Sequence, residues 1–143
     1  MNMISTRGRY ALRVLIDLAE HGGGNYLAMK DVVDRQGISL KYLEKILPVL
    51  TKEGIIEGVR GKGGGYRLTK SPDSFTVWDI LQATEGDLAP VTCLEENASP
   101  CERAAECRTL PMWKEYYERT KKYFSGITLA DLTSRDTLSE YVI

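Results

Sequence analysis

A mostly α-helical chain with a small β-hairpin wing, a winged helix-turn-helix followed by a long C-terminal dimerisation helix, is the fold class this sequence predicts. Three observations predict it. Residues 1–70 show helical apolar spacing several times in succession and then two short strands around a glycine-rich tip. The same residues carry 12 Lys/Arg against 7 Asp/Glu, net +5, while residues 71–143 carry 7 against 13, net −6, so the formal charge of −1 hides a basic half and an acidic half. A late helical stretch is unusually rich in aromatic residues. With 143 residues there is room for one core and an appended arm, which excludes a large multidomain enzyme, and 43% hydrophobic with 27% charged residues excludes a disordered chain.

Ser5 or Thr6 can cap a helix whose apolar positions Tyr10, Ala11, Val14, Leu15, Leu18 and Ala19 recur three and four residues apart, ending at His21 before Gly22-Gly23-Gly24-Asn25. Leu27 to Arg35 predicts a short helix closed by Gly37. Ser39 then precedes Leu40, Leu43, Ile46, Leu47 and Leu50, which share a face, with Gly54 at the far end as a C′ residue. Pro48 lies inside this helix and removes the N–H that would bond the Glu44 carbonyl. Ile55 to Val59 and Tyr66 to Leu68 read as strands flanking Arg60-Gly61-Lys62-Gly63-Gly64-Gly65, the wing. Thr76 can cap another short helix through Val77, Ile80 and Leu81 to about Gly86. Residues 85–107 hold six acidic residues, two prolines and all three cysteines, without core periodicity. Met112, Trp113, Tyr116, Tyr117, Thr120, Tyr123, Phe124 and Ile127 then form an apolar stripe too wide for one helix to hide on so small a domain, so a second copy of the chain is expected to cover it.

The basic half has the parts a duplex reader needs. On the helix opened by Ser39, the apolar face leaves Lys41, Tyr42, Glu44 and Lys45 pointing outward: hydroxyls and ammoniums bind phosphates, and a carboxylate can accept from cytosine N4 in the major groove. Arg60 and Lys62 ride a tip whose glycines let the backbone approach phosphates or a minor groove. The glycine run is no nucleotide-binding loop, since it leads into a strand and lacks the Gly-Lys-Ser/Thr ending. His21 is the only histidine and no hydrolytic set is present, so no enzymatic chemistry is expected.

The cysteines are spaced Cys93-x7-Cys101-x5-Cys107. Three neighbouring thiols in a chain expected to be cytosolic point to a metal or redox site before a disulfide frame. The close pair usual in structural zinc sites is missing, whereas thiolate-held iron–sulfur clusters tolerate a flexible loop; spacing alone leaves a cluster and three free thiols both open.

Three stretches carry a more specific likeness: Ser5-Thr6-Arg7-Gly8-Arg9-Tyr10-Ala11-Leu12, Gln36-Gly37-Ile38-Ser39-Leu40-Lys41-Tyr42-Leu43-Glu44, and Val59-Arg60-Gly61-Lys62-Gly63-Gly64-Gly65-Tyr66. With them the chain resembles, over nearly its whole length, the IscR-type regulators of the Rrf family. The resemblance implies a dimeric winged-helix transcription factor that binds a double-stranded DNA operator, with Ser39, Lys41, Tyr42, Glu44 and Lys45 in the recognition helix and Arg60 in the wing. It also implies that Cys93, Cys101 and Cys107 form the three-cysteine loop of the cluster-binding members, a loop the CymR branch lacks. The likeness to IscR favours [2Fe–2S] over the [4Fe–4S] type that NsrR suggests. Leu110 stands where IscR has a histidine after its last cysteine, and Arg9 where NsrR has an aspartate. A fourth ligand is therefore left open among Glu85, Asp87, Glu95, Glu106, a small molecule and the partner chain.

These readings divide the chain into a winged-helix domain (1–86), a cysteine-containing cluster loop (87–109), and a dimerisation helix with a C-terminal segment (110–143). No apolar run approaches the roughly 20 residues of a membrane span, and the basic start has no apolar signal region behind it, so a cytoplasmic protein is expected. Two alternatives keep their place: a DNA-binding regulator whose thiols sense redox state or zinc directly, and a non-DNA adaptor that uses the aromatic helix for a partner protein.

Overall fold

The Ser5 hydroxyl accepts the Gly8 N–H at 3.3 Å and opens α1, Thr6–Gly22, in a computed structural model that describes residues 4–99 and 101–133. Ala11, Val14, Leu15 and Leu18 are buried along α1 in the spacing the sequence shows. After a glycine turn, α2 spans Met29–Gln36 and ends on Gly37, whose φ of 66° is the left-handed conformation that closes a helix without a Cβ penalty. α3, Leu40–Lys52, begins with the Ser39 hydroxyl accepting the Tyr42 N–H at 3.1 Å. It ends in a Schellman motif, with the Ile55 N–H on the Leu50 carbonyl and the Gly54 N–H on that of Thr51, both 3.0 Å. The helix runs unbroken through Pro48.

Leu43, Ile46 and Leu50 are fully buried, each contributing about 1.5–3 kcal/mol of transfer free energy. Leu40 departs from the expected face and is exposed. The core place at this end belongs to Ile38, the N′ residue, which joins the same cluster as Leu43 at N4 in the manner of a hydrophobic staple.

β1 (Ile56–Val59) and β2 (Gly65–Leu68) pair antiparallel, Ile56 opposite Leu68 and Val59 opposite Gly65. Leu27 corrects the expected start of the second helix: it lies outside α2 and adds a one-residue bridge to the wing. Its N–H donates to the Tyr66 carbonyl at 2.9 Å and its carbonyl accepts the Tyr66 N–H at 3.0 Å. A Cβ at Gly65 would sit 2.0 Å from the Leu27 oxygen, so only glycine allows this approach.

α4, Val77–Glu85, is opened by a capping box between Thr76 and Asp79, and α6, Leu129–Leu132, by another between Thr128 and Asp131. The Val77 N–H donates to the Ile127 carbonyl at 2.8 Å and the Leu129 N–H to that of Phe75 at 3.0 Å, which staples the end of the described chain to the start of α4. Between them α5 spans Leu110–Ser125. Its aromatic stripe splits. Phe124 packs against a second small core of Val77, Leu81 and Ile127, and Tyr117 lies 6.0 Å from Trp78. Met112, Tyr116 and Tyr123 remain 52%, 56% and 55% exposed, so this flank of the stripe is not covered within the chain. No helix among the described residues is long and apolar enough to cross a membrane. The expected C-terminal segment beyond residue 133 lies outside the described residues.

Candidate nucleic-acid interface and cysteine loop

Lys41, Glu44 and Lys45 project into solvent from the first turns of α3, beside the exposed Ser39. Tyr42 corrects the expectation of a fully outward residue: it is half-buried, its ring edge-on to Tyr10 at 5.2 Å between centroids, because α1 crosses beside the first turn of α3. Beside this contact α1 and the end of α2 are joined by an ionic knot on a buried carboxylate, which sequence reasoning missed. Asp17 is fully buried; Arg35 donates to it from Nη2 at 2.7 Å and Nε at 3.0 Å, and Gln36 adds a bond of 2.9 Å. These hydrogen bonds hold the Arg35 guanidinium above its ordinary pKa and fix the end of α2 against α1. The signal was present in the sequence as a carboxylate set between Val14 and Leu18 on an apolar face.

The wing tip exposes Arg60 and Lys62 on a turn built from Gly61 (φ 98°) and Gly63 (φ 78°). Behind it Arg67 donates to Glu57 at 2.8 Å and lies 4.3 Å from the Tyr26 ring centroid, bracing the hairpin against the turn that follows α1.

Cys93 and Cys101 are exposed and Cys107 is half-buried. Among the described residues no three His, Cys, Asp or Glu side chains are gathered as a metal site, so the three thiols share a loop and are not brought to one point. Cys107 is the most organised. Its sulfur lies 3.5 Å from the Thr109 hydroxyl, and that contact, the N–H groups of Thr109 and Leu110 and the charge of Arg103 draw its pKa below the usual thiol range. It sits just before α5, three residues ahead of Leu110. Residues 101–107 are otherwise folded into local turns, such as Ala104 N–H to Cys101 carbonyl at 3.0 Å. Three thiols on one loop, one of them with a lowered pKa, have the donor chemistry that thiolate-held iron requires.

Two of the carboxylates open as a fourth ligand already have work. Glu85 Oε1 accepts both the N–H and the hydroxyl of Ser5, at 2.9 and 2.7 Å, tying the start of α1 to the root of the cysteine loop. Gly8 lets this happen, since a Cβ there would stand 2.2 Å from the same oxygen. Asp87 accepts the N–H groups of Ala89 and Glu96 at 2.9 and 2.8 Å. Glu95 and Glu106 are exposed.

A capped helix presented after a tight turn, a glycine-built wing and a long trailing helix define a winged helix-turn-helix protein of the transcription-regulator class. Residues 4–135 match the Rrf2 family model, described as an iron-dependent transcriptional regulator, and the chain belongs to that family of non-catalytic DNA-binding regulators. It is 43% identical over 129 residues to the protein rrf2 of Nitratidesulfovibrio vulgaris Hildenborough, covering 90% of this chain and 85% of that one. Among solved structures it is similar to CymR (YrzC) of B. subtilis, the global cysteine regulator there, with a TM-score of 0.74 at 31% identity over 100% of both chains. T. potens IscR matches with a TM-score of 0.71 at 33% identity, over 91% of this chain and 85% of that one.

Proposed function

We propose that this regulator works as a homodimer that binds an operator in double-stranded DNA through two copies of α3 and the wing, and that Cys93, Cys101 and Cys107 hold an iron–sulfur cluster whose presence tunes that binding. The observation that carries this reading is the position of Cys107 at the mouth of α5: the thiol loop joins directly onto the helix that bears the uncovered aromatic flank. The cluster, of [2Fe–2S] type by likeness to IscR, supplies sensitivity to iron supply or oxidation. The chain's own part is to provide three thiolates, one eased toward ionisation by Thr109, and to transmit the order of the loop into α5. Residues 1–86 then read DNA, 87–109 sense, and 110–143 pair the protomers. Such a task is carried out in the cytoplasm, where the operator is.

Ser39, Lys41 and Lys45 take phosphate oxygens and Tyr42 buttresses them through Tyr10. Glu44 needs a specific reason to face a polyanion, and accepting from a cytosine amine supplies it. Glu44→Ala is therefore expected to relax base preference at one position per half-site while general affinity holds or rises. Titration of single-base operator variants checks this, and a uniform loss across all of them would contradict it. Arg60→Ala should weaken operator binding by about 1–3 kcal/mol, since a cation on the glycine tip is attracted to a narrow groove; an unchanged affinity at matched salt removes Arg60 from the interface.

Anaerobic purification with a visible spectrum and iron and sulfide analysis tests the sensor. Zinc without sulfide, or neither metal, would turn the reading to direct thiol or zinc sensing. Affinity for duplex DNA that falls steeply with salt tests the reader, and no duplex affinity at any salt would leave a protein-binding adaptor.

A further inference from the structure

We infer that Arg13 is a further contact to the DNA backbone, a guanidinium seated beside the recognition helix to take a phosphate at the edge of the groove; this rests on the DNA-binding reading above. Arg13 is exposed on α1. Its guanidinium carbon lies 5.2 Å from the centroid of the Tyr10 ring, and Tyr10 in turn meets Tyr42 edge-on. Nη2 donates to the backbone carbonyl of Gln36, the last residue of α2, and Nε donates to Gln36 Oε1 at 3.4 Å. One side chain thus touches α1 and the end of α2 and, through Tyr10, reaches the first turn of α3. The turn that delivers Ser39 lies between these contacts.

Charge accounting points to an anion. Both acceptors on Gln36 are neutral. Asp17, one helical turn along α1, is occupied by Arg35 and Gln36, and Arg67 has Glu57. Among the described ion pairs Arg13 has no carboxylate partner. A guanidinium carries five N–H donors in a planar fork, and closing the end of α2 engages only two of them. The remaining donors are held in place by a ring and a helix end before any ligand arrives. A fork fixed in that way suits two oxygens of one phosphate. It also loses less side-chain freedom on binding than a lysine free in solvent, such as those of α3.

The test measures affinity of the full chain for a short mixed-sequence duplex by fluorescence anisotropy as salt rises from about 50 to 200 mM. Arg13→Gln is expected to reduce the slope of log affinity against log salt by about 0.9 for each phosphate no longer neutralised, and Arg13→Lys to restore most of that slope. A slope unchanged in Arg13→Gln, whether or not the melting temperature falls, makes Arg13 a helix cap only and overturns the inference. Should Arg13→Gln fail to fold, the wild-type protein answers through phenylglyoxal labelling of arginines read by peptide mass spectrometry. Protection of Arg13 by the duplex supports the contact, and equal labelling with and without duplex overturns it. Absence of salt-dependent duplex binding by the wild-type chain sinks the DNA-binding reading as a whole, a result distinct from failure at Arg13 alone.

Discussion

Replacing any one of Cys93, Cys101 or Cys107 by alanine is expected to leave the anaerobically purified protein colourless, with iron and sulfide lost from all three variants alike. On the proposed reading the three thiols act as one unit, because each would supply a bond to iron and a partial shell would expose the cluster to loss. The loop between 85 and 107 carries six carboxylates. Without iron that segment repels itself, and its backbone is held at 101–107 by local turns. Iron held by the three thiolates would offset that repulsion and would gather Cys93 and Cys101 with Cys107, whose sulfur lies 3.5 Å from the Thr109 hydroxyl. Ordering the loop would then act on the first turn of α5, and through Glu85 and Ser5 on the first turn of α1. Reconstitution of each variant with iron and sulfide, followed by metal analysis and operator titration beside wild type, separates cluster binding from switching. A full iron–sulfide complement in all three variants sinks the cluster. Identical DNA affinity with and without it sinks the switch and spares the site.

The helical order, the wing and the caps were legible because each rests on local chemistry: Ser39 before an apolar face, Thr76 before Val77, Ile80 and Leu81, glycines at the tip. What the sequence hid was tertiary. Leu27 follows helical spacing, yet the wing edge needed a backbone partner and Tyr66 took it. Leu40 fits the apolar face of α3 on paper, but Ile38 fills that end of the core. Tyr42 reads as an outward hydroxyl until α1 brings Tyr10 against it. For the cysteine site, residue types and spacing were readable, while the gathering of the thiols was not, because loop closure depends on an ion and not on local propensity. Glu85 shows the same limit: its charge made it a ligand candidate, and only the fold reveals that Ser5 has claimed it.

A charge placed at Tyr116 is expected to convert the protein to monomers or aggregates and to cost it most of its operator affinity. Tyr116 is the informative position because it is 56% exposed in the single chain, so Tyr116→Glu breaks no contact with the chain's own core. Phe124 is less clean, since it packs against the cluster of Val77, Leu81 and Ile127 and a charge there also unsettles the protomer. Tyr116 and Tyr123 line an open groove of about 710 Å³ with Ile4, Leu88, Trp113 and Phe124, an apolar surface that spans α5, the N-terminus and the root of the cysteine loop. A second copy of α5 laid along it by two-fold symmetry would bury both tyrosines, and an unpaired carboxylate buried there costs several kcal/mol. Operator affinity falls with it, because two recognition helices on one dimer reach half-sites about 34 Å apart and each raises the effective concentration of the other. Light scattering across a dilution series reports the first effect and titration of a two-half-site duplex the second. A normal dimer retained by Tyr116→Glu would return this flank of α5 to solvent and require the pairing surface to lie elsewhere.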